Sequence, residues 1–185
     1  ASLATGNYWG KSLSSPEEAE RAEAVAFTEA YINAAHCFGV DAILVLPGSV
    51  DVAWDPARPV VPLKAAYEKS QQSLRSLIPL AEKKGVVMAL ENVWSKFLTG
   101  PFELAAFVDS FHSPQVMVYF DAGNCLINGY SEHWIEVLGK RIKRVHVKNF
   151  TRREGGGTLA DFTDSLLKGD VNWPAVFRGL KEIGY

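Results

Sequence analysis

A chain of 185 residues can bury one good core, and its 48% hydrophobic and 22% charged content is ordinary for a soluble globular protein. A net charge of −2 gives no electrostatic reason to expect nucleic acid or an acidic membrane as a partner. Cys37 and Cys125 lack metal-finger spacing and do not suggest a disulfide scaffold, so a reducing cytoplasm is the expected setting.

In chain order, Ala1–Thr5 reads as the tail of a strand, followed by a polar loop from Asn7 to Ser15. Ser15-Pro16-Glu17-Glu18 predicts a helix start, with Ser15 as N-cap, Pro16 in the first turn and acids at the positive end of the dipole. That helix is expected to reach about Phe38 and stop at Gly39. A strand over Asp41–Leu46 and a Pro-rich loop over Pro47–Pro62 follow. A long helix is predicted over Leu63–Lys84, ended by Gly85. The run ending at Glu91 is the next strand, then come a loop through Gly100 and a helix over Pro101–Phe111. The run ending at Asp121 leads to a turn-rich loop, Gly123–Ser131, and a short helix near His133–Leu138. The run ending at His146 precedes a long loop with Gly155-Gly156-Gly157, and Asn172-Trp173-Pro174 opens a last helix to Gly184. No run is long enough to span a bilayer, and no signal peptide opens a chain that itself reads as starting inside a strand.

This is about five strands, each followed by a helix, and the continuous apolar runs are those of strands buried on both faces of a parallel sheet. A complete (β/α)8 barrel has eight such units in roughly 250 residues. The fold expected is therefore α/β, a single partial TIM-barrel domain over residues 1–185 that holds about strands 3 to 7 with their helices. In such a barrel the carboxyl ends of the strands form the active-site face.

Three strands end on a strong polar residue. A carboxylate at the end of a buried strand, such as Glu91, costs several kcal/mol unless it is paired or bound to metal. Asp121 opens Asp-Ala-Gly-Asn124, where Asn124 can bond substrate or orient a ligand; the same residues also make ordinary turns. His146 lies between two valines, a setting more often found for a satisfied core histidine. Together Glu91, Asp121 and His146 are a plausible metal-ligand set. His36, His112 and His133 fall on or beside helices and read as structural. Lys148 and Arg152 follow His146, and alternation puts Lys148 on its face if the strand persists; either can bind a sugar hydroxyl or a phosphate, or be a solvated charge. The triple glycine lacks the context of a phosphate loop and suggests a mobile lid. Tyr8, Trp9, Trp54, Trp94 and Phe97 fall in strand-to-helix loops, where aromatics can stack on a sugar and exclude water, or simply pack.

Leu-Glu91-Asn, Tyr-Phe-Asp121-Ala-Gly-Asn and Arg-Val-His146-Val-Lys-Asn-Phe resemble the sugar isomerase/epimerase family with the xylose-isomerase-like TIM-barrel fold. The resemblance covers nearly the whole chain. It implies one divalent metal ion, Mn²⁺, Mg²⁺ or Co²⁺ with Zn²⁺ as a further option, held by Glu91, Asp121 and His146. A fourth ligand, a second glutamate, is expected beyond Tyr185. It also implies Glu91 as a general acid or base and Arg152 as a substrate-binding residue; Asn124, Lys148 and Trp9 are taken as substrate-binding residues from their own positions. Asn124 stands where many members carry a histidine, which argues against three-zinc nuclease chemistry, and Asn149 stands where an aspartate is expected.

The implied reaction is isomerisation or epimerisation of a keto-sugar or sugar phosphate. A base removes the weakly acidic proton beside the carbonyl, and the resulting enediolate is reprotonated on the opposite face or on the neighbouring carbon. The implied partner is a small-molecule sugar, with neither nucleic acid nor membrane, and a homo-oligomer is an option. A piece without the strands that close a barrel is expected to bind metal weakly and turn over little. The alternatives are a non-catalytic barrel fragment held by a partner or by self-association, a same-fold dehydratase, and an endonuclease IV-like nuclease.

Overall fold

The apolar runs form strands where periodicity placed them. In the computed structural model, which describes residues 1–185 apart from Ala53 and Asp164, they are β1 (Ala42–Val45), β2 (Val87–Glu91), β3 (Val116–Asp121) and β4 (Ile142–His146). Ala53 falls in the loop predicted over 47–62 and Asp164 in the loop after His146. The four strands pair in parallel in the order β1-β2-β3-β4. The strand tail expected at the N-terminus contributes only one parallel bridge, Leu3 to Ile43, so the described residues hold four strands rather than five.

Before, between and after the strands run α1 (Glu18–Cys37), α2 (Leu63–Lys84), α3 (Pro101–Asp109), α4 (Ser131–Leu138) and α5 (Trp173–Glu182). α1 starts later than Ser15 predicts. The Ser15 hydroxyl accepts from the Glu17 N–H but donates to Glu20 Oε2 at 3.0 Å, and this local link holds Pro16 and Glu17 outside the helix. The other stops obey backbone sterics: Gly39 and Gly85 sit at φ +67° and +65°, which a side chain disfavours. At α5 the Asn172 side chain accepts from the Ala175 N–H as an N-cap.

One face of the sheet is covered by helices, with α1 on α2, α3 on α4 and α4 on α5. Ile43, Met88, Leu90, Val118 and Phe120 are fully buried there against Leu74, Leu77, Leu104, Phe107 and Ile135. Phe107 is central, with edge-on contacts to Tyr67, Phe97 and Phe111 at 5.1, 5.7 and 5.2 Å. Each such side chain stabilises the fold by about 1.5–3 kcal/mol through burial. The other face carries the small residues Ala42 and Ala89 with Val87, packed against Met117 and Tyr119.

The sheet is strongly curled about that inner face. A flat sheet would set β1 and β4 about 14 Å apart. Instead, Lys143 Nζ on β4 lies 2.8 Å from Asp41 Oδ2, next to β1, and Arg144 pairs with the other oxygen of the same carboxylate. Ser2 Oγ also lies 3.2 Å from the Tyr119 hydroxyl. The pairing of β3 with β4 slips by one residue: Val118 faces Ile142 but Tyr119 faces Arg144. Lys143 is the extra residue. Such a bulge lets Lys143 and Arg144, neighbours in sequence, reach one acid instead of pointing to opposite faces. The curled parallel sheet with helices outside is an incomplete TIM barrel.

Candidate metal centre

Side chains two apart share a strand face, so Val87, Ala89 and Glu91 point inward on β2, as do Met117, Tyr119 and Asp121 on β3. Past the bulge, Asp121 pairs with His146, and Arg144 and His146 share the inner face of β4. The three strand ends thus bring Glu91, Asp121 and His146 together, with one ligand atom from each inside a 4.8 Å cluster. His146 Nδ1 lies 2.9 Å from Glu91 Oε1 and 3.4 Å from Asp121 Oδ2. The Tyr119 ring stands edge-on to the imidazole at 6.0 Å.

Asp121 is fully buried. Its Oδ1 accepts from the backbone N–H groups of Gly123 and Asn124, both at 2.8 Å, which aims Oδ2 at His146. That Oδ2 has no hydrogen-bond partner. Lys148 Nζ lies 3.9 Å away, and cannot satisfy it at that range. Burial, opposed by Lys148 and reinforced by the Glu91 carboxylate, pushes the Asp121 carboxyl up to about 6. The hydrogen bond that its Nδ1 donates to the Glu91 carboxylate, outweighing partial burial, raises His146 above its ordinary 6.5.

This donor set fits a divalent cation. Ligands at about 2.1 Å from an ion stand about 3 Å from one another at neighbouring positions. The separations of 2.9 and 3.4 Å match that spacing. An orphaned buried carboxylate oxygen is also what such an ion would satisfy. Two carboxylates and one imidazole suit Mn²⁺, Mg²⁺, Co²⁺ or Zn²⁺ alike.

The remaining predicted residues divide. Lys148 reaches the cluster although β4 has already ended: its Nζ donates to Asn124 Oδ1 at 3.1 Å and lies 3.6 Å from the Phe162 ring centre. Asn124 is buried and used structurally, donating its Nδ2 to the Asn92 carbonyl at 2.9 Å and accepting at Oδ1 from Lys148. Arg152 turns toward the loop after β3, where its guanidinium lies over Tyr130 at 4.2 Å and bonds the Gly129 carbonyl. Among the described residues it makes no hydrogen bond or ion pair with Glu91, Asp121, His146 or Lys148. Trp9 packs edge-on against the half-exposed Trp54 at 4.5 Å, in the loop that follows the Leu3 bridge. Tyr8 and Phe97 are buried in the core, and Trp94 packs on Phe150 and Phe162, so these three do not present free stacking faces. The other histidines lie elsewhere; His36 Nδ1, for example, is 3.0 Å from the Lys84 carbonyl. The triple glycine forms a left-handed turn, and a Cβ on Gly157 would come within 2.6 Å of the Phe150 ring.

Sequence reasoning missed Asn92. Its Nδ2 donates to the Asp121 carbonyl at 2.9 Å and its Oδ1 accepts the Asp121 N–H at 2.7 Å, which ties the end of β2 to the end of β3. The available signal was an amide beside a strand-end acid. Asn92→Ala leaves two buried backbone groups without partners and is expected to destabilise the chain by about 2–4 kcal/mol, measured by urea unfolding. A loss under about 0.5 kcal/mol would show that the amide does not carry this junction. Asn149 acts similarly in the following loop, accepting from the N–H groups of Phe150 and Val171 and donating to the Leu166 carbonyl.

Solved structures share this architecture. The chain superposes along its full length on a D-tagatose 3-epimerase-like protein (TM-score 0.82, 22% identity, 67% of that chain) and on D-psicose 3-epimerase in the presence of D-fructose (0.79, 20%, 61%). Against a xylose isomerase domain protein from Planctomyces limnophilus, 89% of this chain matches 56% of that one, with a TM-score of 0.70 and 21% identity. The chain thus spans about three fifths of the length of such structures, and at these identities the likeness establishes the fold. A family model described as the xylose isomerase-like TIM barrel matches residues 2–185, and the chain belongs to that family.

Proposed function

We propose that the chain carries part of the active site of a metal-dependent isomerase or epimerase acting on a keto-sugar or sugar phosphate. Glu91, Asp121 and His146 would hold one divalent cation, Mn²⁺, Mg²⁺ or Co²⁺. The observation that carries this reading is the Asp121 Oδ2 atom, buried without a hydrogen bond and facing the two other donors. When bound, the cation would supply Lewis-acid polarisation of the sugar's carbonyl. Glu91 is the group in this cluster suited to take a proton from the carbon beside that carbonyl and to return it. Lys148 adds positive charge at the mouth, where it favours an anionic transition state, and Asn124 holds it there. The Trp9–Trp54 pair offers an apolar wall for one face of a sugar. Two free cysteines, Cys37 exposed and Cys125 buried, suit a reducing cytoplasm. No helix among the described residues is long and apolar enough to cross a membrane.

The test is proton exchange, which does not require a complete catalytic cycle. The chain is incubated in D₂O with Mg²⁺ and a panel of ketohexoses and their phosphates, and each sugar is weighed by mass spectrometry. A one-dalton gain that needs both Mg²⁺ and Glu91 is the expected result. Gain that persists in Glu91→Gln, or no gain with any sugar while metal is bound, would overturn the assignment.

A further inference from the structure

Apart from the strand-end cluster, a cavity of about 630 Å³ lies between the loop after β2, the turn after β3 and residues 157–160. That volume suits a small organic molecule. Its walls are mainly apolar, with Trp94, Leu98, Ile127, Trp134 and Leu159. Asn92 and Asn124 also line it, while Glu91, Asp121, His146 and Lys148 do not. The cavity therefore adjoins the candidate metal centre without sharing its reactive groups.

Two features distinguish it from a packing gap. Trp134, on the cavity wall, is only 5% exposed, and its indole N–H has no acceptor among the described residues while keeping contact with solvent. The indoles of Trp94 and Trp173 are both satisfied, by the Asn124 and Leu166 carbonyls. Gly129 keeps space at the Trp134 nitrogen, because a Cβ there would come within 2.9 Å of Nε1. A ligand's acceptor would replace water at this donor, a net gain of about 0.5–1.5 kcal/mol. The second feature is backbone strain: Lys96 and Leu98, both on the cavity wall, each hold φ at +53° without being glycine. Such conformations cost about 1–3 kcal/mol each and gather at ligand clamps.

We propose that this cavity is a second small-molecule site, which takes a planar apolar ring system bearing a hydrogen-bond acceptor. Trp134 supplies aromatic surface, Leu98, Ile127 and Leu159 close the apolar walls, and the Trp134 N–H reads the acceptor. The site is independent of the metal ligands, so it stands or falls apart from the isomerase reading.

Quinoline and naphthalene are matched probes, alike in shape and differing in one ring nitrogen. Nitrogen-15 labelled chain is titrated with each, following the indole N–H resonances, with that of Trp134 assigned through Trp134→Phe. Quinoline is expected to move the Trp134 resonance downfield and saturably, and to bind about fivefold tighter than naphthalene. Ala160→Trp, on an exposed wall position, should fill the cavity and abolish the shift. Gly129→Ala should erase the preference for quinoline by crowding Nε1. Quinoline binding should survive in Glu91→Gln and His146→Ala. An unmoved Trp134 resonance at low-millimolar quinoline, equal binding of the two probes, or a shift that persists in Ala160→Trp would overturn the proposal.

Discussion

Replacing Glu91 with Gln, or His146 with Ala, is expected to weaken Mn²⁺ binding at least about 100-fold, because groups that merely orient a ligand already cost 10–100-fold when lost. Calorimetric titration of the parent chain against each variant measures this. Glu91→Gln separates ligand loss from unfolding: the glutamate's charge repels that of Asp121, so its removal relieves the metal-free site. The variant should keep the parent's melting temperature without metal and lose the rise that Mn²⁺ produces. Parent-like affinity in both variants would place the ion elsewhere.

The second large effect is a reversal of pH dependence by metal. Both Asp121 and His146 have folded values raised above their unfolded ones, Asp121 to about 6 from 3.8 and His146 above 6.5. Their contribution to stability is fully present below pH 4 and is lost as pH rises, first through the Asp121 value and then through that of His146. For Asp121 alone the loss is on the order of 3 kcal/mol. Glu20, Asp41, Asp109 and Asp161 are held low by their partners and act in the opposite sense, on acidification below about pH 4. The Cys125 thiol, pushed up to about 12 by burial, acts only at alkaline pH. Between pH 5 and 8 the metal-free chain should therefore melt at falling temperatures as pH increases. Mn²⁺, which competes with protons for Asp121 and His146, should stabilise most at pH 8. Thermal melts over this range with and without Mn²⁺ test it, and Asp121→Asn should flatten the metal-free slope. A metal-free melting temperature that climbs from pH 5 to 8 would contradict the burial of Asp121.

The strands and the three polar ends were legible because each rests on local pattern. Val-Met-Ala-Leu-Glu91 is an unbroken apolar run closed by a charge, and few arrangements other than a buried parallel strand accommodate it. Leu63–Lys84 was read to the residue because Pro62 precedes it and Gly85 supplies the left-handed stop. Contacts set by tertiary geometry were less accessible. Nothing in the local sequence says that Asn92 will hold both backbone groups of Asp121, or that Asn124 will be spent on Asn92 and Lys148. Arg152 shows the same limit, since its spacing from His146 does not reveal that the loop turns its guanidinium onto Tyr130. Tyr8 and Phe97 looked like mouth residues by position, but side-chain direction buries them.

The one-residue slip at Lys143 makes chain length in β4 a determinant of chemistry. Were the register regular from Val118 onward, Asp121 would face Val145, and the imidazole would stand one rung further along the strand. Deleting Lys143 itself would only remove the bulge and leave Asp121 opposite His146, whereas deleting Val145 would retain every ligand residue while dismantling their assembly, and no substitution elsewhere on the strand would compensate for it. Comparisons among relatives that score residue identity alone are blind to this. In this segment the count of residues carries as much information as their kind.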